Sequence, residues 1–160
     1  MTAQSQQFEQ AARTIFQQLR HQFGYENVLP SQSYPAKDSG ISRQIDVTAY
    51  RTDGGQILIE CKCHTHPVDI AYVDAFHTVI HTDIGADGGM LVSASGFTHG
   101  AIKSAQAKQI ALATLNAGAT AENYTLQLAN LMCIGITETN PIREEVVALS
   151  IPVENVPEQQ

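Results

Sequence analysis

Basic residues, cysteines and long apolar runs are scarce in the 160-residue sequence, and each shortage excludes a class of protein. No apolar stretch approaches the ~18 residues that a membrane-spanning helix requires, and residues 1–7 lack the positive and apolar segments of a secretory signal. Three cysteines are an odd number in such a chain, which argues against a disulfide framework. We therefore expect a cytoplasmic protein that has free thiols and no membrane contact.

The charge balance is acidic, with nine Lys and Arg against sixteen Asp and Glu and a formal net charge of -7. This balance argues against a protein that coats nucleic acid through overall basicity, although it is compatible with a local binding site. Acidic side chains gathered around a divalent cation would contribute to it. The composition, 43% hydrophobic and 16% charged, is that of a globular protein, and the length predicts one domain over residues 1–160.

The order of the predicted elements indicates an α/β fold. Apolar residues at helical spacing predict helices at 8–23, 70–84 and 101–108. Alternating or continuous apolar runs predict strands at 25–29, 44–50, 56–62, 90–94 and 110–115. The segment 31–40 is predicted to be a loop, and the last two strands are expected to pair in parallel around the third helix. Beyond residue 116, the pattern suggests strands within 126–136 and 146–153, with a turn at Asn140 and Pro141.

The hairpin formed by 44–50 and 56–62 places three charged side chains on one face. Side chains alternate along a strand, so Glu60 and Lys62 share a face while Cys61 points to the other. A turn centred near Asp53 pairs Asp46 with Glu60 across the hairpin. Two opposed carboxylates require either a cation between them or a raised pKa on one of them.

A divalent metal is the simplest way to hold these carboxylates together. Hard oxygen ligands favour Mg²⁺, for which Mn²⁺ can substitute, and Mg²⁺ commonly keeps waters and a substrate phosphate as further ligands. On this hypothesis Asp46 and Glu60 hold the metal and the backbone carbonyl of Cys61 completes its shell. Lys62 then orients a water for phosphodiester cleavage. The spacing alone is equally compatible with an exposed ion pair between Glu60 and Lys62.

The residues of this hairpin resemble a known motif. Gln44-Ile-Asp46, followed after the turn by Glu60-Cys-Lys62, is similar to the hairpin of the PD-(D/E)XK nuclease superfamily. Downstream, the stretches 68–73 and 89–98 resemble the Mrr-like restriction endonuclease branch. The resemblance covers roughly residues 8–115, and the predicted element order is that of the family's α-β-β-β-α-β core.

The resemblance implies a restriction-endonuclease-like core with a central mixed sheet flanked by helices, followed by a strand-rich extension at about 116–155. It implies that Asp46 and Glu60 are metal ligands, that Lys62 is the catalytic lysine and that Glu9 is an extra acidic residue on the first helix. Gln44 would position substrate or water. Ile45 stands where the superfamily's name has Pro, a change that the Mrr-like branch tolerates. We expect no separate DNA-reading domain, so the choice of target is not explained.

A second group of residues has the ligand types of a zinc site. Cys61, Cys63, His64 and His66 follow one another closely, and cysteine with histidine commonly forms tetrahedral zinc centres. Strand alternation sends the two cysteines and the two histidines to opposite faces. This separation favours buried thiols and exposed imidazoles over a zinc site.

The loop from Ser95 to Gly100 lies between a predicted buried strand and the third helix. Free N–H groups at a helix start attract anions, so Ser95 and Thr98 are candidates for binding a phosphate, with Lys103 adding positive charge. The alternative is that Thr98 only caps the helix and that Lys103 is solvated.

Taken together, these patterns predict a Mg²⁺-dependent endonuclease that hydrolyses DNA phosphodiester bonds. Because cutting both strands of a duplex needs two active sites and one small domain holds one, we also expect a homodimer. Two alternatives stay open. One is a structure-specific nuclease for repair or recombination intermediates, and the other is a non-catalytic module with a nuclease fold that binds nucleic acid or serves as a subunit.

Overall fold

The computed structural model describes residues 2–128, 131–135 and 147–150, the last two ranges as backbone only. The helices are α1 (Ala3–Gln18), α2 (Ile70–Thr78) and α3 (His99–Lys108). The strands are β1 (Tyr25–Leu29), β2 (Gln32–Pro35), β3 (Ser42–Ile45), β4 (Val47–Arg51), β5 (Gln56–Lys62), β6 (Gly88–Ser93), β7 (Ala111–Leu115), β8 (Tyr124–Leu128), β9 (Leu131–Gly135) and β10 (Val147–Ser150). Helix α2 continues into a π-helical segment, Val79–Ile84, which Gly85 ends in the left-handed conformation at φ 73°.

Eight strands form one mixed sheet in the order β1-β4-β5-β6-β7-β8-β9-β10. The three central strands β5, β6 and β7 run parallel, whereas the flanking pairs are antiparallel. Strands β2 and β3 pair with each other as a separate antiparallel hairpin. The predicted α/β class, with a mixed sheet and a parallel crossover through α3, is confirmed.

Helices cover the sheet on both faces, which produces two apolar clusters. Helix α1 lies on one face, where its buried residues Phe8, Ile15 and Phe16 share a cluster with Ile59 and Cys61 of β5. On the other face, α2, the π-helical segment and α3 pack over Leu58 and Leu91. Strand β5 is therefore covered on both sides, so the charged residues at its end lie in a partly desolvated place.

Two sequence predictions in this region are corrected by the structure. The predicted loop 31–40 contains β2, which pairs with β3 as an antiparallel hairpin. Pro35 is tolerated in this strand because both strands of the hairpin are edge strands, where a residue without an N–H group leaves no ladder hydrogen bond unmade. The predicted strand 44–50 is broken by a bend at Asp46. Ile45 is buried with the α2 cluster and Val47 with the α1 cluster, so the bend lets neighbouring apolar residues serve opposite faces of the sheet.

The strands predicted near the C-terminus are found as β8, β9 and β10. Their neighbouring pairs are antiparallel and extend the sheet beyond β7. The predicted turn at Asn140 and Pro141 lies outside the described residues. Among the helices that the structure describes, none is long and apolar enough to cross a membrane.

Candidate active site

The bend between β3 and β4 places Asp46 against the end of β5. In the β4–β5 ladder Val47 is opposite Ile59, so the next residue outward on each strand sets Asp46 opposite Glu60. Asp46 lies outside the ladder, and its Oδ2 atom accepts a hydrogen bond of 2.8 Å from the Cys61 backbone N–H. The carboxylate therefore takes the place of a backbone acceptor, which fixes its position beside Glu60.

Lys62 lies between Glu60 and helix α2. Its Nζ atom is 3.4 Å from Glu60 Oε2 and 4.9 Å from the centroid of the Tyr72 ring, a cation–π contact. The Lys62 and Glu60 side chains are only 21% and 16% exposed. This burial does not fit the freely exposed ion pair that the spacing alone left open.

Burial raises the pKa values of both carboxyls, but the sets of neighbours that oppose the rise differ. Burial, with the negative charge of Asp46, raises the pKa of Glu60 to about 7. Burial also raises the pKa of Asp46, but the Cys61 N–H and the Lys62 ammonium oppose that rise. Without a bound cation, the interacting carboxyl pair therefore retains a proton to a higher pH than two separate carboxyls would.

Glu9 approaches this pair from helix α1, which packs on the face of the sheet opposite to α2. Its pKa is raised by burial and by the negative charge of Asp46, and the Lys62 ammonium lowers it. Within the described part of the chain, Glu9 makes no hydrogen bond to either group. The structure thus brings the first-helix Glu within electrostatic range of the site, and its catalytic role stays a prediction.

A cleft of about 320 Å³ opens beside Glu60 and Lys62. One wall is β3 and the other is α2 with the start of the π-helical segment, including Tyr72. Gln44 lines this cleft and is exposed, and its Nε2 atom donates a 2.9 Å hydrogen bond to Ser31 Oγ. The structure therefore brings Gln44 to the same opening as Glu60 and Lys62.

The predicted phosphate-binding loop, residues 95–100, lies outside the described lining of this cleft. The Ser95 hydroxyl donates to the His64 carbonyl, and Thr98 Oγ1 accepts a 3.2 Å hydrogen bond from Ala101 N as the cap of α3. Lys103 is exposed on α3. None of these three is among the described residues that line the cleft, so their roles as phosphate contacts stay predictions.

The donor atoms at this site fit a hard cation. Two half-buried carboxyls, one holding a proton near neutral pH, offer oxygen ligands of the kind that Mg²⁺ or Mn²⁺ takes. Within residues 2–128, no three His, Cys, Asp or Glu side chains are grouped so as to hold a metal, so the protein offers a pair of carboxyls here rather than a complete cage. The cysteine and histidine ligands of the zinc alternative do not come together. The His64 and His66 rings stack on each other, with 5.3 Å between centroids, whereas Cys61 is buried in the cluster under α1.

Two neighbours of the site were not predicted as functional from the sequence. Tyr72 belongs to a stretch that resembles the nuclease family, yet no spacing rule connects a residue of one helix with a lysine of a distant strand. Arg43 precedes Gln44 in a segment whose strand pattern is short and follows a Ser- and Pro-rich run. Both residues reach the cleft through tertiary packing, which sequence periodicity does not report.

The family model Mrr_cat, described as restriction endonuclease, matches residues 1–119. The chain belongs to this family. No curated protein matches it significantly.

Several solved structures are similar to this restriction endonuclease family member. AF1548, a protein of unknown function, is 23% identical over 66% of this chain and 56% of its own, with a TM-score of 0.53. A repair endonuclease from Pyrococcus abyssi is 18% identical over 66% of this chain and 45% of its own, with a TM-score of 0.43. An EndoMS structure with double-stranded DNA is 15% identical over 73% of this chain and 46% of its own, with a TM-score of 0.41.

The chain spans about half the length of these three structures. At such identities, the likeness to AF1548 concerns the fold alone. The family match and the mixed α/β architecture together identify a restriction endonuclease family member with the restriction-endonuclease-like fold. The resemblance to the Mrr-like branch of the PD-(D/E)XK superfamily is thereby confirmed.

Proposed function

We propose that this nuclease is a Mg²⁺-dependent endonuclease that hydrolyses DNA phosphodiester bonds, with Mn²⁺ able to replace Mg²⁺. It acts in the cytoplasm as a homodimer, and residues 1–160 form one nuclease domain with its core at about 8–115. The observation that supports this proposal best is the Asp46–Glu60 carboxyl pair with the Lys62 ammonium 3.4 Å from Glu60. Burying an acid pair with one adjoining amine costs desolvation energy, and the chain has two apolar clusters that stabilise its fold without it.

Asp46 and Glu60 would hold the metal, and the backbone carbonyl of Cys61 would complete the protein's contribution. A bound divalent cation supplies Lewis acidity and makes a water molecule more acidic. Glu60 must give up its proton to act as a ligand, and its pKa of about 7 makes that loss accessible near neutral pH. Asp46 is held in place for this role by the Cys61 N–H.

Lys62 has two tasks in this mechanism. Its ammonium orients the attacking water, and it stabilises the negative charge that develops on the phosphate oxygens. Glu9 adjusts the charge around Lys62 and Asp46 from α1. Gln44 contacts substrate or water at the mouth of the cleft, while Ser95, Thr98 and Lys103 would bind the DNA strand farther from the scissile bond.

The test is cleavage of supercoiled plasmid DNA with Mg²⁺ or with EDTA, comparing the wild type with Lys62→Ala. Removing the ammonium should lower the cleavage rate about 10²- to 10³-fold, the usual cost of one charge-stabilising group. Metal binding, measured by titration calorimetry with Mn²⁺, should persist. Lys108→Ala is the matched control, because Lys108 also pairs with an acid, Asp74 at 3.2 Å, away from the cleft.

The outcomes separate the alternatives. Equal background in EDTA, in Mg²⁺ and in both variants would favour a non-catalytic module that binds nucleic acid. Metal-dependent cutting of branched DNA but not of linear duplex would assign the same site to repair or recombination intermediates.

A further inference from the structure

The β2–β3 hairpin carries a basic residue that the nuclease mechanism above does not use. We infer that Arg43 binds a backbone phosphate of the DNA strand beside the scissile phosphodiester. The inference rests on the proposed function, because it assigns a second contact for the same substrate. Arg43 and Lys62 are the two basic side chains among the described residues that line the cleft.

The hairpin turns Arg43 toward the cleft through strand alternation. Arg43 and Ile45 are two residues apart on β3, so their side chains leave the same face of the strand. Ile45 is fully buried against the cluster of α2 and the π-helical segment. Arg43 therefore extends over the same cluster, one step nearer to the surface.

A buried carboxylate holds one side of the Arg43 guanidinium. Arg43 Nε is 2.8 Å from Asp83 Oδ2, and the two side chains are 44% and 6% exposed. This pair leaves the four N–H donors of the terminal nitrogens for another acceptor. A guanidinium that is fixed on one side and solvent-accessible on the other is suited to two-point binding of a phosphate.

The cleft supplies the complementary surroundings. Its volume of about 320 Å³ lies within the range of sites that hold one small molecule. Its lining carries two cations, Arg43 and Lys62, against one carboxyl, Glu60, in a chain whose net charge is -7. DNA therefore needs a local cationic contact here, since the overall charge repels it.

The experiment measures how the affinity for a short fluorescent DNA duplex depends on salt between about 50 and 200 mM, in EDTA so that no cleavage occurs. Neutralising one phosphate contact reduces the slope of log K against log [salt] by about one. Arg43→Gln should show this reduction, whereas Arg43→Lys should retain the wild-type slope because it keeps the charge. Arg51→Gln is the matched control, since Arg51 Nε also binds an acid, Asp53 at 3.1 Å. This pair lies at the turn between β4 and β5, at the end of that hairpin opposite to Asp46 and Glu60.

Arg43→Gln also leaves the buried Asp83 carboxylate without its ion partner. If thermal melting shows that this variant is unfolded, Arg43→Gln/Asp83→Asn removes both charges and is tested in its place. An unchanged slope in folded Arg43→Gln, or in the folded double variant, would overturn the inference while leaving the nuclease assignment intact. Absence of both DNA binding and cleavage in the wild type would overturn the two together.

Discussion

At the scale of single residues, Asp46 and Glu60 differ in how their surroundings treat a negative charge. Asp46 receives the Cys61 N–H at 2.8 Å, which favours its ionised form. Glu60 has the Lys62 ammonium at a longer 3.4 Å and a negative neighbour, so burial dominates its pKa. In the metal-free protein the carboxyl pair therefore retains a proton to a higher pH than separate carboxyls would.

This proton makes the stability of the metal-free protein depend on pH. The pKa of Glu60 is about 7 in the folded state against 4.5 ordinarily, so folding favours the protonated form. The resulting stabilisation is complete below about pH 4.5 and is lost as the pH rises through 7, a total on the order of 3 kcal/mol. Urea unfolding in EDTA between about pH 5 and 8 measures it.

The matching variants isolate the group responsible. Glu60→Gln cannot titrate, so its free energy of unfolding should fall less across this range than that of the wild type. Glu26→Gln changes an exposed carboxyl on β1 and should leave the wild-type slope intact. A Glu60→Gln profile parallel to the wild-type profile would show that the proton resides on another group.

A second prediction concerns how Tyr72 positions Lys62. The ring lies 4.9 Å from the ammonium, a contact worth about 0.5–2 kcal/mol. Tyr72→Leu should therefore lower the single-turnover cleavage rate by roughly 2- to 30-fold, whereas Tyr72→Phe keeps the ring and should stay close to the wild type. In a Lys62→Ala background, Tyr72→Leu should have no further effect. A full effect in that background would mean that Tyr72 acts independently of Lys62.

The predictable part of the site is the part that strand geometry controls. A turn near Asp53 was enough to predict that Asp46 lies opposite Glu60, and the ladder confirms this register. The hydrogen bond from Cys61 and the ring of Tyr72 were beyond prediction. They depend on a backbone bend and on the placement of a helix, neither of which leaves a periodic pattern in the sequence.

At the scale of elements, the β2–β3 hairpin shows why a short segment escapes prediction. Its Ser- and Pro-rich sequence is typical of a loop, and tertiary contacts hold it in the strand conformation. Tyr34 Oη lies 2.8 Å from Thr48 Oγ1 of β4, and Arg43 Nε lies 2.8 Å from Asp83 of the π-helical segment. The long helices and the central strands, whose burial follows from their own sequences, were predicted correctly in kind and in order.

The close approach of the π-helical segment to β6 yields a stability prediction. A Cβ atom at Gly89 would lie 2.3 Å from Ile80 Cδ1 and 2.9 Å from Phe76 Cε1. Gly89→Ala should therefore destabilise the protein by roughly 1–3 kcal/mol in chemical denaturation, since these side chains are packed and have little room to move. Gly118→Ala is the control, because a methyl group added there would meet no atom within 4 Å.

A second substitution tests the proposed clash. Ile80→Val removes Cδ1, so the cost of Gly89→Ala should be smaller in the Ile80→Val background than in the wild type. Additive costs of the two substitutions would show that the destabilisation has another origin.

At the scale of the whole molecule, the acidic net charge repels DNA, whereas Arg43 and Lys62 of the cleft attract its phosphates. The net charge of -7 opposes non-specific attraction to DNA, so binding depends on a few local contacts such as those proposed for Lys62 and Arg43. Binding that relies on few phosphate contacts depends weakly on salt. The small slope expected for the wild type makes the loss of a single contact measurable.

The proposed homodimer follows from the geometry of a duplex. The two DNA strands run in opposite directions, and a twofold axis relates two copies of one site in the matching orientation. Above the concentration at which it dimerises, the protein should convert supercoiled plasmid to linear DNA with little nicked intermediate. Sedimentation velocity should show two-chain particles over the same concentrations.

Mixed dimers make this last prediction decisive. Excess Lys62→Ala protein, mixed with the wild type and given time to exchange, leaves most wild-type chains in dimers with a single competent site. Such mixtures should accumulate nicked plasmid and form less linear product than the same amount of wild type alone. If linear product is unaffected and sedimentation shows single chains, each chain cuts both strands in successive encounters, and no second site is required.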